Sequence, residues 1–290
     1  MFVQNFINYL EKIRRYSPRT VDSYRQNLGY LCDYLASVNL SIDNVSTKQL
    51  SGYIMYCMER GLQPKSINQH LASIRSYFDY CFRFEGVKNN PAAGLRDVRT
   101  PKTLPRFISE EKMSFLIDHL LPCDTFKQIR ARIVVLLFYH TGIRCNELAT
   151  LTYSHVNLSG DFIKVKGKGD KERYIPFGKE LHEELIRYFK ACPEGSLQGS
   201  EGVIKTVWGG ACTPFQIRRI CKFALLKIVP AELAHPHILR HSFATALMNH
   251  GARIENVRLL LGHASCDTTA IYQHVSINYL RTSYSNTFER

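Results

Sequence analysis

The sequence predicts a mainly α protein in which a small helical domain precedes a larger α-rich domain carrying a small β-hairpin. Three observations carry that expectation. Apolar residues recur at three and four over residues 1–95, the spacing of amphipathic helices. Residues 97–107 then break the pattern, with Pro101 and Pro105 among basic residues and no helical period. The period changes to two at residues 162–177, around a turn that holds Gly167 and Gly169.

Each element follows in order. Phe2, Phe6, Tyr9, Leu10 and Ile13 form a first stripe. Ser17 and Pro18 mark a second helix start, with proline at the first helical position, and Val21, Tyr24, Leu28, Leu31 and Leu35 continue its apolar face. Pro64 opens another helix, with Ile67, Leu71, Ile74, Tyr77, Phe78 and the run from Tyr80 to Phe82 on or beside its apolar face. Three or four helices over about 95 residues make a small bundle. The expected domains are residues 1–96, a linker at 97–107, and residues 108–290. Ser109 followed by Glu110 and Glu111 reads as the N-terminus of the first helix beyond the linker. Strands are expected from Phe162 to Lys166 and from Glu172 to Phe177, with helices resuming afterwards.

Composition narrows the function. The chain has 290 residues, 45% hydrophobic and 22% charged, which excludes wholesale disorder. Its formal net charge is +13, spread over both halves, with +5 in residues 1–99 and +8 in the remainder. A folded chain with that field attracts polyanions, nucleic acid foremost. In the first domain Arg14, Arg15, Arg19, Arg25, Arg75 and Arg83 interleave with tyrosines. That pattern suits phosphate contact and equally suits a solvated helix face. Nine cysteines, an odd number without a C-x-x-C pair, point to reduced thiols in a cytoplasm rather than a disulfide framework or zinc ribbon. The start has no basic segment followed by an apolar run, so no signal peptide is expected. The longest apolar run, Ile133 to Tyr139, is far shorter than the ~20 residues of a membrane span.

Several chemistries drop out by spacing. There is no G-x-S-x-G, and the glycines around Lys168 do not form a P-loop. His237 and His241 lack the glutamate of an H-E-x-x-H zinc site. What remains is a cationic set with one tyrosine. His237 and Arg240 share a helix face, and a stripe of Leu239, Phe243 and Leu247 is expected to bury and turn that face outward. Arg144 follows the break at Thr141 and Gly142, with Glu147 one turn on to orient its guanidinium. His263 follows Gly262, where a helix is expected to end. A fresh helix capped by Asp267 is expected to carry Tyr272.

Taken together these residues resemble the tyrosine recombinase (phage integrase) family. The matching pieces are Thr141 to Arg144 with Glu147 and Leu148, the hairpin with Lys168 between two glycines, His237 with Arg240 and His241, Leu261 to His263, and Ile271 with Tyr272, His274 and Val275. Ser17, Pro18, Thr20 and Tyr24 at a helix start resemble the core-binding (SAM-like) domain of Xer-type members. Cys145 and Asn146 depart from the residues common at those positions but leave Arg144 and Glu147 in place. The resemblance implies an enzyme that cleaves and rejoins DNA at specific sites through a 3′-phosphotyrosine, with no metal and no ATP. Tyr272 would be the nucleophile. Arg144, Arg240 and His263 would bind the phosphate oxygens, Lys168 would protonate the leaving 5′-oxygen, His237 would assist at Tyr272, and Glu147 would support Arg144. The family also implies DNA with paired sites as partner. The assembly would be a homotetramer, or a heterotetramer with a related recombinase, linked by an exchanged C-terminal segment at about 276–290. A type IB topoisomerase-like relaxing enzyme and a catalytically silent DNA-binding protein on the same fold are the rival readings. Integration or excision of a mobile element and chromosome dimer resolution are not separated by sequence.

Overall fold

A computed structural model describes residues 2–101, 106–167, 172–197 and 201–262. The chain divides into two compact units, residues 1–103 and 104–290, each with its own hydrophobic core.

In the first unit, α1 (Phe2–Lys12) buries Phe6, Ile7 and Leu10. Ile13 does not continue that stripe and stands 70% exposed. The helix has ended at Lys12, and the chain turns through Arg15 at positive φ before the next one. Helix α2 (Pro18–Ser37) begins as expected, with Ser17 Oγ accepting from Thr20 N at 3.3 Å, and buries Val21, Leu28, Leu31 and Leu35. Helix α3 (Thr47–Glu59) starts in a capping box in which Ser46 and Gln49 satisfy each other's backbone amides. Helix α4 (Pro64–Phe84) packs across α1, α2 and α3. Phe78 and Cys81 face inward, whereas Phe82 lies on the opposite side and is exposed. The core is rich in aromatic rings, with Phe6 edge-on to Tyr77 at 5.6 Å. Its buried polar groups are paired: Asn27 Nδ2 donates to Ser73 Oγ, and Tyr53 meets His70.

The interleaved arginines of this unit now separate. Arg25 pairs with Asp22 and Glu11, Arg75 with Asp97, and Arg83 with Asp79, so these three serve the unit's own surface ion pairs. The chain after α4 stays attached as far as Val98, whose amide and carbonyl both bond the Asn68 side chain.

In the second unit, Ile108 N donates to Ser242 Oγ, and Ser109 caps α5 (Glu110–Phe115), which widens into a π-type turn at Leu116–Leu120. Helix α6 (Phe126–Thr141) is buried on every side from Ile133 to Thr141. A helix apolar all round must be central, and α8, α9 and α10 pack against it. After α7 (Cys145–Thr150) come three antiparallel strands in sequence order: β1 (Val156–Asn157), β2 (Phe162–Lys166) and β3 (Glu172–Pro176). Strand β1 has two residues, too short to leave a periodic signal. Across β2 and β3, Ile163 faces Ile175 and Val165 faces Arg173. Helices α8 (Lys179–Ala191), α9 (Pro214–Leu225), α10 (Pro236–Asn249) and α11 (Ile254–Leu261) complete the described part.

Helix α6 ends at Gly142, which adopts the left-handed conformation at φ +57°. A Cβ there would lie 2.5 Å from Phe243 Cδ1 and 2.8 Å from Leu261 Cδ2. Both the backbone angle and the close approach of α10 and α11 therefore require glycine. Gly142→Ala is expected to cost about 2 kcal/mol or more, from left-handed strain and overpacking together. Urea unfolding measures it, and an unchanged midpoint would contradict the packing described.

Candidate active site

The site forms where helix ends meet. Arg144 lies two residues past Gly142, in extended conformation, immediately before α7. Glu147, in the first turn of α7, reaches back to it. Arg144 N donates to Glu147 Oε2 at 2.8 Å and Arg144 Nη1 to Oε1 at 2.9 Å. The pairing expected from a one-turn spacing is thus present, and Glu147 is buried.

The glutamate has a second, stronger partner that sequence reasoning missed. Arg173 of β3 grips it with both prongs, Nη1 to Oε1 at 2.9 Å and Nη2 to Oε2 at 2.8 Å. A signal for it was present. Alternation in β3 sets Arg173 two residues from buried Ile175 and opposite buried Val165. An arginine on the inward face of a hairpin needs a buried acceptor.

Helix α11 ends at Gly262, where a helix end was expected, and Gly262 is again left-handed at φ +64°. Three of its terminal carbonyls, which have no partner within the helix, each accept from a different arginine. Arg173 Nε donates to Leu260 O at 2.8 Å, Arg240 Nη2 to Leu261 O, and Arg144 Nη2 to Gly262 O at 3.1 Å. Arg240 also donates through Nη1 to Gly142 O at 2.6 Å. The negative end of the α11 dipole therefore faces three cations.

Leu239, Phe243 and Leu247 bury as expected. Arg240 does not turn outward with His237. It is 8% exposed, because the ends of α6 and α11 close over it and supply its acceptors. His237, three residues earlier on α10, is exposed. His235, which was not singled out, caps α10 by accepting from Ile238 N through Nδ1.

The electrostatics follow from this crowding. Burial alone would raise the Glu147 carboxyl, but the hydrogen bonds and charge of Arg173, then of Arg144, outweigh it and bring it down to about 2. Loss of solvation, with repulsion from Arg144 and Arg173, lowers Arg240 to about 10, so it stays charged at neutral pH. Partial desolvation and the neighbouring His235 and Arg240 lower His237, which favours a neutral ring able to take a proton. Three guanidiniums against one carboxylate leave an excess of positive charge, which favours an anion. Lys168, His263 and Tyr272, with the expected helix at Asp267, lie outside the described residues; the structure describes the strands flanking the first and Gly262 before the second.

The sequence and the fold are matched by known proteins. The phage integrase family model covers residues 106–278, and the N-terminal SAM-like domain of phage integrases covers residues 3–84. The chain belongs to the phage integrase family, whose members are tyrosine recombinases, and is an enzyme of DNA strand transfer. Tyrosine recombinase XerC of Staphylococcus carnosus is 30% identical over 289 residues, covering 99% of this chain and 97% of that relative. XerC of Staphylococcus aureus is 30% identical over 285 residues, covering 98% and 95%. Among solved structures, the Tn1549 transposon integrase with a circular intermediate DNA has the same fold, with TM-score 0.72 and 18% identity over 97% of this chain and 94% of that one. The XerH site-specific recombinase bound to a palindromic difH substrate follows at TM-score 0.68 and 23% identity, covering 97% and 84%.

A depressed carboxyl sets the sign of a pH dependence. Glu147 adds stability that is fully present above the unfolded value of about 4.5 and is lost as pH falls through that value toward about 2. Glu147→Gln is expected to destabilise by about 3 kcal/mol at neutral pH, since the buried carboxylate that pairs two arginines loses its charge. It should also flatten the acid limb between those values. Chemical denaturation of both proteins across pH 2–7 checks this, and parallel acid limbs would contradict it.

Proposed function

We propose that Tyr272 is the nucleophile of site-specific recombination, acting on a phosphodiester held by Arg144, Arg240 and His263. The observation that supports this best is the convergence of Arg144 and Arg240 on the carbonyls that end α11, one residue before His263. In the proposed step the Tyr272 hydroxyl oxygen bonds to phosphorus. The bond from phosphorus to the 5′-oxygen breaks, leaving a 3′-phosphotyrosine and a free 5′-hydroxyl. The 5′-hydroxyl of a partner strand then attacks the phosphotyrosine and releases the tyrosine. Each step exchanges one phosphoester bond for another, so no ATP is consumed.

The roles follow from chemistry. Guanidiniums match the non-bridging oxygens with paired donors, where an ammonium offers only a point charge. Lys168, between two glycines at the hairpin turn, supplies the proton to the leaving 5′-oxygen. His237, held toward its neutral form, assists proton removal at Tyr272. Glu147 keeps Arg144 in place. In this reading the arginines neutralise the charge that builds on the phosphate, and no metal or other cofactor is required.

The partner is duplex DNA carrying paired recombination sites, and strand exchange between two duplexes calls for a tetramer, of this chain alone or with a related recombinase. The segment 276–290, whose Val275 neighbour, Ile277, Tyr279, Leu280 and Phe288 are apolar, passes to an adjacent protomer and links the ring; it lies outside the described residues. The protein works in the cytoplasm, in keeping with eight free thiols among the described residues. Among those residues no helix is long and apolar enough to cross a membrane. Integration, excision or resolution, including that of a mobile element, are the biological outcomes this chemistry serves.

Tyr272→Phe removes only the nucleophilic oxygen. It is expected to abolish the covalent adduct on a nicked suicide substrate while DNA binding persists. A shifted band surviving on a denaturing gel would sink the assignment.

Arg144→Ala is expected to slow cleavage on the order of 10²-fold or more, as loss of one oxyanion donor does. Lys168→Ala should fail at leaving-group protonation. A bridging 5′-phosphorothioate leaves without a proton, so it should restore cleavage by Lys168→Ala and not by Arg144→Ala. Equal restoration of both would reverse the roles.

A further inference from the structure

Arg173 uses all three of its nitrogens on the candidate active site. Nη1 and Nη2 take the two oxygens of Glu147, and Nε takes Leu260 O at the end of α11. Its side chain is 14% exposed. The fold also reserves room for it: a Cβ on Gly262 would lie 3.1 Å from Arg173 Nη1. Glycine at 262 thus serves both the left-handed turn and the guanidinium packed over it.

The consequence for Arg144 is geometric. Glu147 Oε1 accepts from Arg144 Nη1 and from Arg173 Nη1 together. Arg173 occupies the directions through which a lone carboxylate would draw Arg144 into a two-pronged pair. Arg144 therefore spends a single side-chain bond on Glu147 and one on Gly262 O, and keeps its remaining N–H groups for a phosphate.

We propose that Arg173 is a positioning residue of the recombination site, which acts through Glu147 and the end of α11 to hold Arg144 in its phosphate-binding pose. This rests on the reading that Arg144 binds the scissile phosphate. Lysine cannot replace it, because one ammonium cannot span both carboxylate oxygens and Leu260 O at once. The proposal also links the Lys168 hairpin, through β3, to the arginine end of the site.

The test uses the full chain and a nicked suicide substrate in three forms: ordinary phosphate, bridging 5′-phosphorothioate, and a methylphosphonate that removes one non-bridging charge. The variants are Arg173→Lys and Arg173→Gln, with Arg144→Ala and Lys168→Ala as references. Both Arg173 variants are expected to bind a half-site with near-normal affinity and to cleave ordinary substrate on the order of 10²-fold more slowly, the scale of a misplaced reacting group. Their defect should shrink on the methylphosphonate and persist on the phosphorothioate, as for Arg144→Ala. If Arg173→Gln does not fold, Arg173→Lys, which keeps a positive charge beside Glu147, carries the same comparison. A merely structural role would slow all three substrates alike, and full activity in Arg173→Lys would reduce Arg173 to a bulk charge; either overturns the proposal. If the unaltered protein forms no adduct, or Arg144→Ala cleaves normally, the underlying reading fails instead.

Discussion

One buried carboxylate governs the second unit. Glu147 sits between Arg144 and Arg173 and accepts from both, so that one carboxylate offsets two guanidiniums. Like charges brought together away from water repel strongly and lose hydration. Arg240 registers that cost in its lowered proton affinity, caused first by desolvation and then by the two neighbouring guanidiniums. The carboxylate and the unpaired carbonyls at the end of α11 offset it. The cationic centre is a compromise in which every guanidinium has an oxygen, while the group as a whole stays positive.

The fold arranges this with helix termini rather than with long loops. Helix α6 is buried from Ile133 to Thr141 and delivers the chain at Gly142 into the middle of the unit. Helix α11 ends against the same point, close enough that Leu261 and Phe243 leave no space for a side chain on residue 142. Backbone carbonyls that a helix cannot satisfy by itself become the acceptors for Arg144, Arg173 and Arg240. Strand β3 supplies the third arginine from the far side. Thus α6, α7, α10, α11 and β3 are all fixed to one another by polar groups as well as by the apolar core, and that shared network holds the three guanidiniums in place.

The first unit follows a different economy. Its core is aromatic, with Phe6, Tyr77 and Phe78 packed among three long helices, and its few buried polar groups pair off internally. Several arginines that the sequence left open between phosphate contact and a solvated face turn out to hold local acids. Ion pairs at such exposed positions contribute little to stability, so Arg25, Arg75 and Arg83 are best understood as surface order rather than as anchors.

The residues alone determined the mainly α class, the helix starts at Ser17, Pro64 and Ser109, the two-strand hairpin, and the pairing of Arg144 with Glu147, because each is a matter of local spacing along one or two elements. Periodicity also marked Leu239, Phe243 and Leu247 as core. It misjudged Ile13, which lies beyond the end of α1 at Lys12, and Phe82, which lies beside the apolar face of α4 and stays exposed. Tertiary structure alone decided that Arg240 is buried rather than outward, and which acceptors the inward-facing Arg173 reaches. Those outcomes depend on carbonyls at Gly142, Leu260 and Leu261, tens of residues away in the chain. A backbone oxygen has the same chemistry at every position and leaves no mark in sequence; only the packing of α6 and α11 shows which of them an arginine can reach.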